Sequence, residues 1–173
     1  MQPAFIIKNY LPYSHKVLLL HKVHGKIFCM FGKNDQAALL TTGSLVWCMV
    51  EQTLSLHQFL AIEIESNLSM QHIPLVHDIM RLCLKYVPSN IAVPEFFDFL
   101  LYVYQNMDLF CDKGRQVVLL RLFLMLDLLA DDSAMYHVAL LDPTNVLSQD
   151  GALLSKYVSI CWDNFYRARH PGH

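Results

Sequence analysis

Five lysines stand in the first 34 residues, and no aspartate or glutamate accompanies them. Tyrosine and phenylalanine side chains are interleaved with these lysines along the same stretch. Ammonium groups neutralise phosphates, and exposed aromatic rings stack on unpaired bases of any sequence. The stretch therefore predicts a surface for single-stranded nucleic acid. The candidate contacts are Lys8, Tyr13, Lys16, Lys22, Lys26 and Lys33.

Two explanations that do not involve nucleic-acid binding also fit the composition of this stretch. Five lysines also suit an ordinary solvated face, and either Phe28 or Phe31 must point into a core. The charge distribution favours binding, because the chain as a whole carries −2 while residues 1–34 carry +5. The remaining residues hold eight basic and fifteen acidic side chains, a net charge of −7. Such asymmetry along a chain is a signal of nucleic-acid binding.

Catalytic and metal-binding patterns are absent from the sequence. Nine histidines occur without the H-E-x-x-H spacing, and there is no G-x-S-x-G elbow or phosphate-binding G-x-x-x-x-G-K loop. The five cysteines include no Cys-x-x-Cys pair, so we expect buried free thiols. We therefore predict no enzyme activity, catalytic residue, metal, cofactor or small-molecule substrate. A small hydrolase or metal enzyme is the remaining catalytic alternative.

A second basic group lies in an apolar helical segment further along the chain. It consists of Lys113, Arg115 and Arg121. Cations beside an apolar groove suit the capture of a peptide that ends in a carboxylate. The alternative is that the arginine stems cover apolar surface while the charged heads remain in water.

The lysines and aromatic residues of the first 34 residues must be positioned by the β-strands of the fold. Five short segments have the composition of such strands. They are short apolar runs of β-compatible residues, separated by glycine or polar links, and in the last one Glu63 and Glu65 alternate with apolar residues. The predicted strands are residues 3–10, 15–23, 26–31, 44–52 and 56–65, with a two-residue hairpin link at His24-Gly25. So many short strands in so few residues favour a closed barrel, which leaves no exposed edge.

The apolar spacing changes to a helical period after residue 66. We predict helices over residues 73–87, 94–110, 113–130 and 150–169, with a short helix possible between residues 133 and 149. The fold class is therefore α+β, with a five-stranded OB-like β-barrel at residues 1–66 and an all-α domain at residues 67–173. A hydrophobic content of 54% provides ample material for a core.

The most apolar stretch, residues 117–130, is interrupted by Arg121 and Asp127, so it does not predict a membrane span. The N-terminus has no signal-peptide pattern. We expect a cytoplasmic protein without membrane contact.

The order of these parts resembles the bacterial RecO family of recombination mediators. The resemblance rests on Pro12-Tyr13-Ser14, His24-Gly25-Lys26 and Gly32-Lys33 in the strand-rich part. In the helical part it rests on a phenylalanine-rich helix at residues 96–104 and a Leu-Arg core at residues 119–126. Together these segments cover most of residues 3–130.

The resemblance implies a non-catalytic DNA-repair mediator that binds and anneals single-stranded DNA. It also implies RecR-like and SSB-like protein partners, with Arg115 and Arg121 as candidates for binding the acidic SSB tail. The chain departs from the family at His15, where an acidic residue is usual, and at Asn34-Asp35, where arginines are usual. The zinc-binding cysteines of some members are missing. The alternative is a protein-interaction adaptor that kept the fold and lost the DNA site.

Overall fold

The computed structural model describes residues 1–10, 13–31, 40–53, 56–65 and 70–167. All five predicted strands are present, followed by five α-helices, so the predicted α+β class is confirmed. The strands are β1 (Gln2–Asn9), β2 (Lys16–His21), β3 (Gly25–Met30), β4 (Leu45–Thr53) and β5 (Leu56–Ile64). The helices are α1 (Ile73–Tyr86), α2 (Pro94–Asn106), α3 (Asp112–Met125), α4 (Ser133–Ala139) and α5 (Gly151–Arg167).

The strands close into a barrel in the order β1-β2-β3-β5-β4, with β4 pairing back onto β1. All neighbours are antiparallel except β3 and β5, which run parallel. This is the OB-like barrel expected from the strand spacing. Closure pairs each of the five strands on both sides, so none of them presents an open edge to other chains.

Alternating side chains of every strand fill the interior of the barrel. In β3, Ile27 and Cys29 point inward with Phe31 packed beside them. The ring of Phe31 stacks on Phe59 with centroids 4.9 Å apart. Phe31 is thus the core phenylalanine, whereas Phe28 faces outward.

The link between β2 and β3 is one residue longer than predicted. His21 pairs with Gly25, so residues 22–24 form the turn and Gly25 begins the strand. Gly25 has a φ of +71°, and a Cβ atom there would lie 1.9 Å from the carbonyl oxygen of Ile91. Only glycine fits, because the backbone is left-handed and another backbone segment lies against it.

The first compact unit of the chain is Met1–Asp98, which contains the barrel, α1 and the start of α2. Outer side chains of the barrel supply apolar surface to these helices, as Phe5 does to Phe97 at a centroid distance of 5.4 Å. Asn90 also donates its backbone N–H to the carbonyl of Lys26 at 2.9 Å. The predicted barrel boundary at residues 66 and 67 lies outside the described residues.

The second unit, Phe99–His173, is built around α3, whose buried side chains include Val117, Leu120 and Phe123. Helix α3 ends at Met125, five residues before the predicted end. Asp127 takes a φ of 56°, and Leu128 donates its N–H to Phe123 at 2.8 Å. This is a Schellman ending, in which aspartate occupies the left-handed position that glycine usually marks.

All five cysteines are free, and Cys29, Cys48, Cys83 and Cys161 are buried as expected. Cys111 is exposed, so the expectation of burial was wrong for that residue. Burial raises the pKa of Cys29 and Cys48 to about 12, which keeps both thiols protonated. Among the described helices, none combines the length and apolar character needed to cross a bilayer.

Candidate nucleic-acid interface

The connection from β1 to β2 forms one rim of the candidate interface. Tyr10 donates its backbone N–H to the carbonyl of Lys16 at 3.2 Å, and Ser14 donates to Tyr10 at 3.1 Å. These bonds bring the ends of the connection together. Tyr13 stands in it with 96% of its surface exposed.

Strand register places the outward residues of β1, β2 and β3 in rows. Lys8 pairs with Leu18, and Leu18 pairs with Phe28, so these side chains share the outer surface. Lys16 pairs with Met30 one row closer to the rim. We call the surface formed by Lys8, Tyr10, Lys16 and Phe28 the open face.

Three of the four side chains of the open face, those of Lys8, Tyr10 and Phe28, form a chain of contacts. The Lys8 ammonium lies 4.8 Å from the centre of the Tyr10 ring, and the Tyr10 and Phe28 centroids are 6.1 Å apart. Phe28 remains 46% exposed, while Leu18 is buried beneath this layer. No carboxylate of the described residues forms an ion pair with Lys8 or Lys16. Lys8 and Lys16 are both exposed to solvent.

Lys22 is placed differently, in the turn between β2 and β3. Its ammonium pairs with the Asp98 carboxylate at 3.1 Å, and both side chains are about half exposed. A surface pair of this kind is weak, because water screens it and the side chains lose freedom. The Lys22 charge is nonetheless partly neutralised in the folded chain.

Lys26 is buried, with 7% of its surface exposed. Its ammonium donates to the carbonyls of Cys83 at 3.3 Å and Leu84 at 2.9 Å, in the last turn of α1. A cation is favourable there, because the helix dipole is negative at its C-terminus. Desolvation by burial lowers the Lys26 pKa, and the neighbouring Cys83 opposes that shift. The structure therefore separates Lys26 from the open face, and Lys33 lies outside the described residues.

The barrel is not uniformly basic. No lysine or arginine occurs between residues 34 and 80, whereas Asp35, Glu51, Glu63 and Glu65 do. Residues 1–66 thus carry five basic and four acidic side chains, a net charge of only +1. Positive charge belongs to β1–β3, and negative charge belongs to β4–β5.

Three histidines cluster where β2, the following turn and β5 meet. The ring centroids of His21 and His24 are 4.8 Å apart, and those of His24 and His57 are 5.3 Å apart. Nδ1 of His21 accepts from the backbone N–H groups of Val23 and His24, at 3.2 and 3.3 Å. Burial, then the neighbouring imidazoles, lower the His21 pKa to about 4. No group of histidine, cysteine or acidic side chains in the described part of the chain has metal-holding geometry.

Two members of the second basic group, Lys113 and Arg121, donate to backbone carbonyls of their own unit. Lys113 donates to the carbonyls of residues 147 and 149, and Arg121 donates to Ala139 and Leu141, both at 3.0 Å. Arg121 also lies over the Phe99 ring at 5.3 Å. Arg115 lies 3.7 Å from the Asp112 carboxylate, and its buried Nε has no hydrogen-bond partner in the part of the chain that the structure describes. Lys113 and Arg121 thus connect α3 to the residues that follow α4 and precede α5.

Two members of the open face, Tyr10 and Phe28, were not among the predicted contacts. The signal for Phe28 was present, because it alternates with the inward pair Ile27 and Cys29. The signal for Tyr10 was its spacing of two residues from Lys8 at the end of β1.

No protein-family model matches this chain, and comparison with curated proteins finds no significant relative.

Proposed function

We propose that this protein is a non-catalytic, RecO-like DNA-repair and recombination mediator that holds single-stranded DNA on the open face of its barrel. One observation supports the proposal: the exposed Lys8 lies over the Tyr10 ring, which contacts Phe28, and the exposed Lys16 lies on the same outer face of the barrel. OB-fold barrels often bind oligonucleotides with the face of their second and third strands and the adjoining loops. The open face and Tyr13 occupy this region.

The arrangement suits a single strand better than a duplex. Aromatic rings beside the lysines can stack on bases only when those bases are unpaired, and each stacked base contributes about 1–3 kcal/mol. Two lysines can neutralise two phosphates, so salt should weaken binding with a slope contribution of about −0.7 per phosphate. We expect modest affinity without strong sequence preference.

Fluorescence anisotropy with a labelled oligothymidylate at low and high salt tests the proposal. The variant Lys8→Gln/Lys16→Gln should bind at least tenfold more weakly at low salt, with the salt slope reduced by about 1.4. The matched control Lys85→Gln/Lys156→Gln removes the same charge elsewhere and should bind normally. Equal losses in both variants, or no binding by the parent protein at low salt, would overturn the proposal.

A second candidate function is an interaction adaptor that kept the fold and lost the DNA site. It is favoured by the engagement of Lys22 with Asp98 and of Lys26 with the end of α1, since these contacts remove two of the predicted DNA contacts. Absence of oligonucleotide binding at low salt, together with binding of purified RecR-like or SSB-like protein, would select this candidate.

The proposed partner contacts can be tested separately from DNA binding. Arg121 and Lys113 already donate to carbonyls, so capture of an acidic SSB tail falls chiefly to Arg115. A labelled peptide with the SSB tail sequence should bind the parent chain and bind Arg115→Gln several-fold more weakly. Lys156→Gln is the control, and equal binding by all three proteins would remove Arg115 from the site.

A further inference from the structure

The outer face of β4 and β5 combines exposed apolar side chains with acidic ones. Trp47, Met49 and Leu60 are 39%, 47% and 57% exposed, and Ala61 is exposed beside them. Glu51, Glu63 and Glu65 are exposed on the same two strands or directly after them. We call these six larger side chains, Trp47, Met49, Leu60 and the three glutamates, the acidic ribbon.

A β-bulge brings Leu60 to this surface. Val50 pairs with Phe59 and Met49 pairs with Ala61, so Leu60 has no partner of its own in the register. The inward positions of the two strands remain filled by core residues such as Cys48 and Ile62. Leu60 is therefore an apolar residue that the barrel does not bury. Its burial by a partner would be favourable, because it would remove apolar surface from water.

A hydrogen bond orients the Trp47 ring on the surface of the barrel. Its indole Nε1 donates to a carboxylate oxygen of Glu65 at 2.6 Å, and its register partner across the sheet is Glu63. A fixed and partly exposed tryptophan costs little entropy to bury, and tryptophan is among the residues enriched at binding hot spots. An aromatic face next to carboxylates attracts a cation through the ring quadrupole and through charge.

The charge of the ribbon selects the class of partner. Its three glutamates face solvent, and none of them forms an ion pair with a lysine or arginine of the described residues. A nucleic-acid backbone is repelled by such a surface, whereas an arginine-bearing protein surface is attracted to it. Apolar side chains at its centre exclude a purely ionic partner, because their burial requires apolar groups opposite.

We propose that the acidic ribbon is a docking surface for a protein partner that presents arginine or lysine beside an apolar cluster. The cation lies over Trp47 and against the glutamates, and the apolar cluster covers Met49 and Leu60. This inference does not depend on the proposed function, because the ribbon and the open face share no residue.

The experiment uses Trp47 as its own reporter in the full chain. Trp162→Phe leaves Trp47 as the single tryptophan. The probes are two synthetic amphipathic peptides with the same apolar residues, one carrying arginines and the other carrying glutamates in their place. The arginine peptide should change Trp47 fluorescence and bind at least tenfold more tightly than the glutamate peptide. If Trp162→Phe does not fold, anisotropy of the labelled peptides on the parent chain gives the same comparison.

Matched variants distinguish binding to the acidic ribbon from a general attraction of the peptide to negative charge. Glu51→Gln/Glu63→Gln/Glu65→Gln should weaken the arginine peptide at least tenfold. The control Asp127→Asn/Asp131→Asn/Asp163→Asn removes three exposed charges from the second unit and should leave affinity unchanged.

Three outcomes would overturn the inference. Equal binding of both peptides would make the surface merely hydrophobic, and equal losses in both triple variants would make the attraction nonspecific. Self-association that the ribbon variant abolishes, without peptide binding, would identify a second copy of the chain as the occupant instead.

Discussion

The two ends of the β2–β3 hairpin use similar residue types for different purposes. At the turn end, Lys26 caps the last turn of α1 and Lys22 pairs with Asp98. At the rim end, Lys16 and Phe28 remain in contact with water. The difference lies in what covers the outer surface of the strands. Helix α1 supplies carbonyl acceptors to the turn end, so a lysine there stabilises the fold, whereas a lysine at the rim end can still bind a ligand.

The largest effect is expected at Gly25. Gly25→Ala forces a Cβ atom against the Ile91 carbonyl and an L side chain into left-handed backbone. We expect the free energy of unfolding to fall by about 3–5 kcal/mol, measured by chemical denaturation. Gly151→Ala is the control, because its nearest contact is the flexible Lys113 side chain at 3.5 Å. A tolerated Gly25→Ala would show that the turn end is adaptable.

The next effect is a pH dependence from His21. Its pKa is about 4 in the folded chain and 6.5 ordinarily, so the unfolded chain binds the proton first as pH falls. Stability should therefore decline from about pH 6.5 to pH 4, by about 3 kcal/mol in total. His57, whose pKa burial also lowers, acts in the same direction.

His21→Asn should flatten this decline while keeping an acceptor for the Val23 and His24 N–H groups. Thermal unfolding at a series of pH values measures it, with His137→Asn as the control. A decline of the same size in both variants would assign the pH dependence to other groups.

Loss of the buried ammonium at Lys26 should have a smaller effect on stability. Lys26→Met removes two charge-assisted hydrogen bonds to α1, and we expect a loss of about 2 kcal/mol in the free energy of unfolding. Lys16→Met, the equivalent change at the rim end, should leave stability within about 0.5 kcal/mol. Similar losses of unfolding free energy in both variants would show that lysines at the turn end and at the rim end of the hairpin contribute equally to stability.

Phe28 tests the rim end through binding. Phe28→Ala removes a half-exposed ring, so oligothymidylate affinity should fall five- to thirtyfold, corresponding to about 1–2 kcal/mol of lost stacking. Val23→Ala, an exposed apolar residue at the turn end, should leave affinity unchanged. Unchanged affinity in Phe28→Ala would remove base stacking from the open face.

The smallest effect is expected at the surface pair of the turn end. Asp98→Asn breaks the pair with Lys22, and the free energy of unfolding should change by less than about 1 kcal/mol. Oligothymidylate affinity should change less than twofold in an anisotropy titration, with Asp163→Asn as the control. A severalfold gain confined to Asp98→Asn would extend the binding surface to the turn end.

The barrel could be predicted because each strand alternates inward and outward residues, as Ile27 and Cys29 do against Phe28. The end of α3 was missed because Asp127 takes the left-handed position without the glycine that usually signals it. The role of Lys26 was not predictable from residue types, since its acceptors are backbone carbonyls that come close only when α1 packs against the barrel. The acidic residues of β4 and β5 could have been counted from the sequence. They were missed because the charge was summed over residues 1–34 and not over all five strands.

The backbone contacts of β3 with residues 90 and 91 also bear on how this chain could be divided. The Asn90 N–H bonds to the Lys26 carbonyl, and Gly25 lies directly against Ile91. A cut made near residue 66 would strip Phe5 of its Phe97 neighbour and leave Lys26 without its carbonyls. The smallest transferable piece is thus the barrel together with the segment up to Asp98. Grafting or evolutionary exchange of the five strands alone would carry a buried ammonium group into water and leave an apolar surface uncovered.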